Sequence, residues 1–374
     1  MKKFSGYLIL ILICLGLAMI LLLRWRAVLP GKTDDMTLSG SAVETQPEET
    51  GADLAELPML PDMTDVETQP NVVAPSVTTN LISQLRPVSL SEADLPEELL
   101  RPAEHRGTVE EDDYPTRDMV SDVPDRINKD VMVYLPYGYN PQQQYDVLIL
   151  LHCAWADHRF WLAQDRNYGT EDNPVMVSVP NLLDRMIEEG YCKPLIVVSP
   201  CIYLYDHQPS NAGNGYDYAQ FALEFGKDFL PWVVETYATH AVDGSREALR
   251  DARDHFAVLG ASFGAYTAYI SLIGDNFDLL SWYTFCGGGE IDPNYLMNSW
   301  AQRGTDLMPL NLLYICEGEY DDRAGPEGSY YNLINAAGPF GENNVKFTLV
   351  HGWGHEDHSY LIGLFNSLQM FFRE

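Results

Sequence analysis

The sequence predicts an α/β domain on a mostly parallel central sheet with helices on both faces. Three observations predict it. Apolar runs of about five residues recur between Val131 and Val350, and helix-like stretches separate them. The runs are short and apolar enough to be strands covered on both faces. One run, Phe256-Ala-Val-Leu-Gly260, leads directly into Ala261-Ser262-Phe-Gly264, and a helix-like segment follows from Ala265 to Leu272.

Two regions precede that domain. Residues 1–26 contain Lys2 and Lys3, an uninterrupted apolar run from Tyr7 to Leu23, and then Arg24 and Arg26. The run is short for a membrane span but longer than a typical signal-peptide core, and no small-x-small cleavage site follows at once. An uncleaved signal anchor is expected, with a cleaved signal peptide as the alternative. From residue 27 to 106 the chain is rich in Thr, Pro, Asp and Glu, and Val43-Glu-Thr-Gln-Pro47 recurs as Val66-Glu-Thr-Gln-Pro70. Such a stretch buries too little apolar area to offset its chain entropy, so it is expected to be a disordered tether. A domain outside the cell membrane, spanning 107–374, is the organisation these features imply.

Within that domain the expected strands are 131–135, 147–151, 195–199, 256–261, 282–286, 312–316 and 345–350. Ser178-Val-Pro180 opens a helix that Gly190 stops, because serine caps a helix start and proline fits its first turn. Longer helices are expected at 218–237 and 359–372. Side chains that carry chemistry in such folds collect at the carboxyl ends of the strands.

Composition excludes some partners. A formal net charge of −31 argues against nucleic acid, whose phosphates would be repelled. Of the six cysteines, Cys14 lies in the apolar run, and Cys153, Cys192, Cys201, Cys286 and Cys316 lie in or beside strands. That placement suits small core residues more than a disulfide framework, with Cys192 and Cys201 the one pair open to bridging.

The pattern Gly260-x-Ser262-x-Gly264 is that of a nucleophile elbow, a sharp strand-to-helix turn that exposes a serine. A serine nucleophile needs a base and a group that orients the base. Both follow in chain order. After strand 312–316 come Glu317, Glu319, Asp321 and Asp322, and after strand 345–350 come His351, His355 and His358. His355 is the preferred base, since Gly352-Trp353-Gly354 gives its loop freedom to return over the sheet. Asp321 is the preferred acid, with Glu319 expected to serve the local turn and Asp322 to face Arg323. His-Glu-Asp-His lacks the spacing of the His-Glu-x-x-His zinc signature, so neither metal nor other cofactor is expected. The oxyanion donors are expected to be the amides of Phe263 and of the loop His152-Cys153-Ala154-Trp155. His152 itself reads as a side chain that shapes this loop.

From about Gly107 onward the chain resembles the esterase-D-like α/β-hydrolases, in particular feruloyl and acetyl-xylan esterase modules. The matching segments are Val133–Tyr139, Tyr145–His152, Tyr168–Pro174, Pro194–Pro200, Arg253–Gly264 and Gly354-His355-Glu356. The resemblance implies the α/β-hydrolase fold, with Ser262 as nucleophile, His355 as base and Asp321 as acid. It also implies Ala154 and Phe263 as oxyanion donors. The implied substrates are feruloyl or acetyl esters on a plant polysaccharide such as xylan. Acyl transfer, hydrolysis of small esters or thioesters, and non-hydrolytic carbohydrate binding are the alternatives. Cys153 stands where the family has glycine, Phe263 where it often has methionine, and Trp353 where it has glycine. Trp155, Tyr203, Tyr216, Tyr266 and Trp353 are the candidate substrate-binding aromatics, and the polar loop 206–216 is the candidate specificity element.

Overall fold

The computed structural model describes residues 85–205, 215–305, 307–322, 326–336 and 338–373. The expected membrane segment 1–26 and most of the expected tether lie outside those residues. Among the described residues no helix is long and apolar enough to cross a membrane.

Eight strands form one sheet: β1 (Thr108–Arg117), β2 (Arg126–Leu135), β3 (Asp146–Leu151), β4 (Leu195–Pro200), β5 (Phe256–Ala261), β6 (Trp282–Cys286), β7 (Leu312–Gly318) and β8 (Val345–Val350). Their order across the sheet is β1-β2-β4-β3-β5-β6-β7-β8. β2 pairs antiparallel with both β1 and β4, and every pairing from β4 through β8 is parallel. Every residue of β3, β4, β5, β6 and β7 is buried, as a parallel sheet covered on both faces requires.

The helices divide between those faces. α1 is Val179–Glu188, capped by the Ser178 side chain, which accepts from the Asn181 amide. α2 runs Gly215–Glu224, passes through a π-turn at Phe225–Phe229 and continues as Leu230–Thr236. α3 begins at Phe263–Thr267 and widens into a π-turn at Ala268–Ile273. α4 is Pro293–Arg303, α5 is Pro326–Ile334 and α6 is Asp357–Met370. Alternate strand residues Ile149, Val198, Val258, Phe285 and Ile315 share one core with α2, α3 and α4. Leu148, Val197, Leu259, Cys286 and Tyr314 point the other way, into a second core with α1 and α6.

Two features depart from expectation. β1 reads Thr-Val-Glu-Glu-Asp-Asp-Tyr-Pro-Thr-Arg, with no apolar run, yet pairs along its whole length with β2. It is an edge strand that buries little besides Tyr114 and Thr116, so its sequence is mostly polar. The second departure moves a boundary: residues 85–106, expected to be tether, pack against the domain. Leu95 and Leu99 are buried in the α1 core. The amides of Ser89 and Ser91 donate to Gln369 Oε1 (2.9 Å) and Asn366 Oδ1 (2.8 Å) on α6. The domain therefore begins by residue 85, not at Gly107. A few well-placed leucines anchor this stretch, and average composition hides them. Cys192 and Cys201 are unbridged buried thiols.

If this segment is integral, Leu99→Ala leaves a cavity and should lower unfolding free energy by about 2–4 kcal/mol. Urea denaturation of the full chain checks this; a loss below about 0.5 kcal/mol would mean the segment is a loose appendage.

Candidate active site

β5 delivers Ser262 at a turn that side chains rarely adopt, with φ 55° and ψ −114°. Two glycines make the turn possible. A β-carbon on Gly260 would lie 2.2 Å from the Gly264 carbonyl oxygen, and one on Gly264 would lie 2.4 Å from the Leu151 carbonyl oxygen. The second contact presses α3 against the end of β3. Such strain, of order 1–3 kcal/mol, persists only where the surroundings over-determine it.

The carboxyl ends of β7 and β8 bring Asp321 and His355 to this serine. His355 Nε2 lies 2.9 Å from Ser262 Oγ, and His355 Nδ1 lies 2.8 Å from Asp321 Oδ2. The hydroxyl can donate to Nε2 while Nδ1–H donates to the carboxylate, one tautomer serving both bonds. The Asp321 side chain is 2% exposed and that of His355 23% exposed, so the acid is sealed while the base meets solvent.

Backbone contacts hold the two loops in register. Tyr320 N–H donates to the Trp353 carbonyl (2.8 Å), and Gly352 N–H donates to Glu319 Oε2 (2.8 Å). Gly318 permits this approach, since a β-carbon there would sit 2.3 Å from the Gly354 carbonyl oxygen. Glu319 thus serves the loop, Asp322 is exposed, and His351 is an exposed partner of Glu319 at 3.6 Å. His358 enters α6, and its ring nitrogens meet the carbonyls of Tyr168 (2.7 Å) and Ala93 (2.6 Å).

Sequence reasoning missed the loop after β6. Gly287, at φ +63°, lies against the imidazole, where a β-carbon would come within 2.8 Å of His355 Cε1. Tyr360 meets the same ring edge-on at 5.7 Å. Three consecutive glycines, Gly287-Gly288-Gly289, at a strand's carboxyl end were the available signal.

The loop after β3 is shaped by His152, which is fully buried. Its Nε2 accepts from the Ile202 amide (2.9 Å), and its Nδ1–H donates to the Cys153 carbonyl (2.8 Å). Burial pulls this imidazole down to about 4, so it is neutral when the protein works near neutral pH. Ala154 follows, half-buried, and Phe263 opens α3 directly after the serine.

The candidate aromatics divide by environment. Trp155 is 63% exposed at φ 68°, its amide donating to the Tyr203 hydroxyl (3.2 Å). Tyr203 is buried and stacks on Phe263 with ring centroids 5.4 Å apart, so it supports the elbow from below. Tyr266 is half-buried, one turn after Ser262, with its hydroxyl against Gly289. Tyr216 bonds Asp118. Trp353 is half-buried and stacks on His358 at 3.7 Å, and His358 stacks on Tyr168 at 4.1 Å. Residues 206–214 of the candidate specificity loop lie outside the described residues.

Residues 126–275, which include Ser262, match the Esterase family model. Over that stretch the chain is similar to the Esterase family. Its segment of 145 residues is 29% identical to endo-1,4-beta-xylanase Y of Acetivibrio thermocellus; the match covers 39% of this chain and 12% of that enzyme. The feruloyl esterase module of Clostridium thermocellum, solved as a mutant with sinapinate, superposes with a TM-score of 0.61 at 20% identity, covering 78% of this chain and 95% of the module. The CE1 ferulic acid esterase of the anaerobic fungus Anaeromyces mucronatus gives 0.56 at 18% identity, covering 76% and 98%. These likenesses establish the α/β-hydrolase fold.

The glycine contact at the imidazole makes a test of the site's geometry. Gly287→Ala should push His355 from Ser262 and cut ester turnover by about 10²-fold while thermal unfolding stays cooperative. Unchanged turnover would place the working imidazole elsewhere.

Proposed function

We propose that the protein is a serine carboxylesterase that works through an acyl-enzyme. The observation that carries this reading is the contact chain Ser262 Oγ, His355 Nε2, His355 Nδ1, Asp321 Oδ2, with both links below 3 Å. His355 takes the Ser262 proton as Oγ attacks the ester carbonyl, and Asp321 stabilises the imidazolium that forms. The amides of Phe263 and Ala154 receive the tetrahedral oxyanion. His355 then protonates the departing alcohol and later activates the water that clears the acyl group.

The proposed substrate class is feruloyl or acetyl esters on a plant polysaccharide. The xylanase and feruloyl esterase relatives support it, as does the exposed Trp155 beside the β3 loop, since a flat ring suits a phenolic or sugar face. The proposed setting is a membrane anchor at residues 7–23 with the esterase domain outside the cell. The apolar run and acidic spacer of the sequence support that placement.

Methyl ferulate and acetylated xylan should both be tested with the full chain, and release of neither acid would overturn the substrate class. Ser262→Ala should reduce turnover by about four to six orders of magnitude. Asp321→Asn should cost about 10⁴ in turnover, whereas Asp322→Asn should be nearly silent. Activity above a tenth of wild type in Ser262→Ala would remove the serine from the mechanism. Protease added to intact cells should release the active domain, and protection would put it inside.

A further inference from the structure

Glu317 ends the buried run of β7 with its carboxyl inside the protein. It is 1% exposed, and neither carboxyl oxygen accepts a hydrogen bond from a donor among the described residues. Strand alternation sends Leu313 and Ile315 to the α3 side, and Glu317 falls in the same phase. Its polar neighbours are the Asp321 carboxyl, four residues onward, and the Gly289 amide. The other titratable groups facing it are the Cys316 thiol on its own strand, the Cys286 thiol on β6 and the Tyr360 hydroxyl on α6. Burial pushes the Cys286 and Tyr360 groups well up, so neither supplies a charge. Asp321 receives His355 Nδ1–H at 2.8 Å and must be anionic to serve the imidazolium. Two adjacent carboxyl groups this deeply buried do not both ionise.

We propose that Glu317 keeps its proton in the working enzyme and donates it as a hydrogen bond to Asp321, a positioning residue for the triad. The role rests on the serine-esterase reading, because that of Asp321 does. The donated bond fixes which Asp321 oxygen faces His355 and tempers that carboxylate's basicity. Burial first, and Asp321 second, push the Glu317 carboxyl up to about 9. The fold therefore binds a proton that the unfolded chain loses near 4.5. Between those two values stability falls as pH rises, and below the lower one the cost vanishes.

The test uses the full chain as wild type, Glu317→Gln and Glu317→Leu. Melting temperatures come first: Glu317→Gln should gain on wild type by several degrees between about pH 5 and about pH 8.5, because glutamine has no proton to lose. Kinetics come second. Glu317→Leu should lower kcat roughly tenfold with KM unchanged and move the acid limb of kcat/KM to higher pH, and Glu317→Gln should restore both. A melting gap that is constant with pH, or a leucine variant with wild-type kcat and acid limb, would overturn the proposal. The melting arm does not involve Ser262. An active Ser262→Ala protein would therefore sink the esterase reading while the melting gap still judged the Glu317 proton.

Discussion

The site depends on one close approach, the backbone of Gly264 against the Leu151 carbonyl. That contact joins the start of α3 to the end of β3, and it holds Ser262 in its left-handed turn. Without it the elbow would relax, since φ near 55° costs a non-glycine residue energy that only surrounding packing can offset. The same contact brings the loop shaped by His152 beside Phe263. Tyr203 reinforces it, stacking on Phe263 while accepting the Trp155 amide. Ser262 and the loop after β3 are thus positioned by one piece of packing, not by two.

The second half of the site is organised by charge. Asp321 is sealed, while His355 reaches both solvent and serine. Its imidazole has room because Gly287 carries no side chain, and the edge-on Tyr360 ring limits its swing. Glu319 holds the histidine loop through the Gly352 amide, so a neighbouring carboxylate serves structure and leaves Asp321 for the imidazole. The sheet's carboxyl ends gather these groups because β5, β7 and β8 are parallel.

Much of this was legible because Gly-x-Ser-x-Gly stands between a strand and a helix, with an acidic loop and a histidine loop following later strands in chain order. The strands from Leu195 to Val350 were readable from apolar runs. β1 was not, because an edge strand with solvent on one side needs little apolar content. The packed stretch 85–106 was hidden for a related reason: Leu95 and Leu99 do the anchoring, and the acidic residues around them set the average. Asp321 and His355 could be nominated from loop order, but the 2.8 Å link between them is a fact of folding. That Trp353 stacks on His358 is likewise visible only in the folded chain. Gly287 and Glu317 needed the third dimension, as each matters for what lies opposite it.

The central claim is a covalent ester on Ser262, and trapping it is the most direct test. Full-length protein turning over methyl ferulate would be quenched in acid, digested and mapped by mass spectrometry. The account predicts a feruloyl group on the peptide carrying Ser262, lost in Ser262→Ala and lost also when His355 is replaced, because the same imidazole is needed to form it. Steady turnover with no adduct on that peptide, or with the acyl group on another residue, would contradict it.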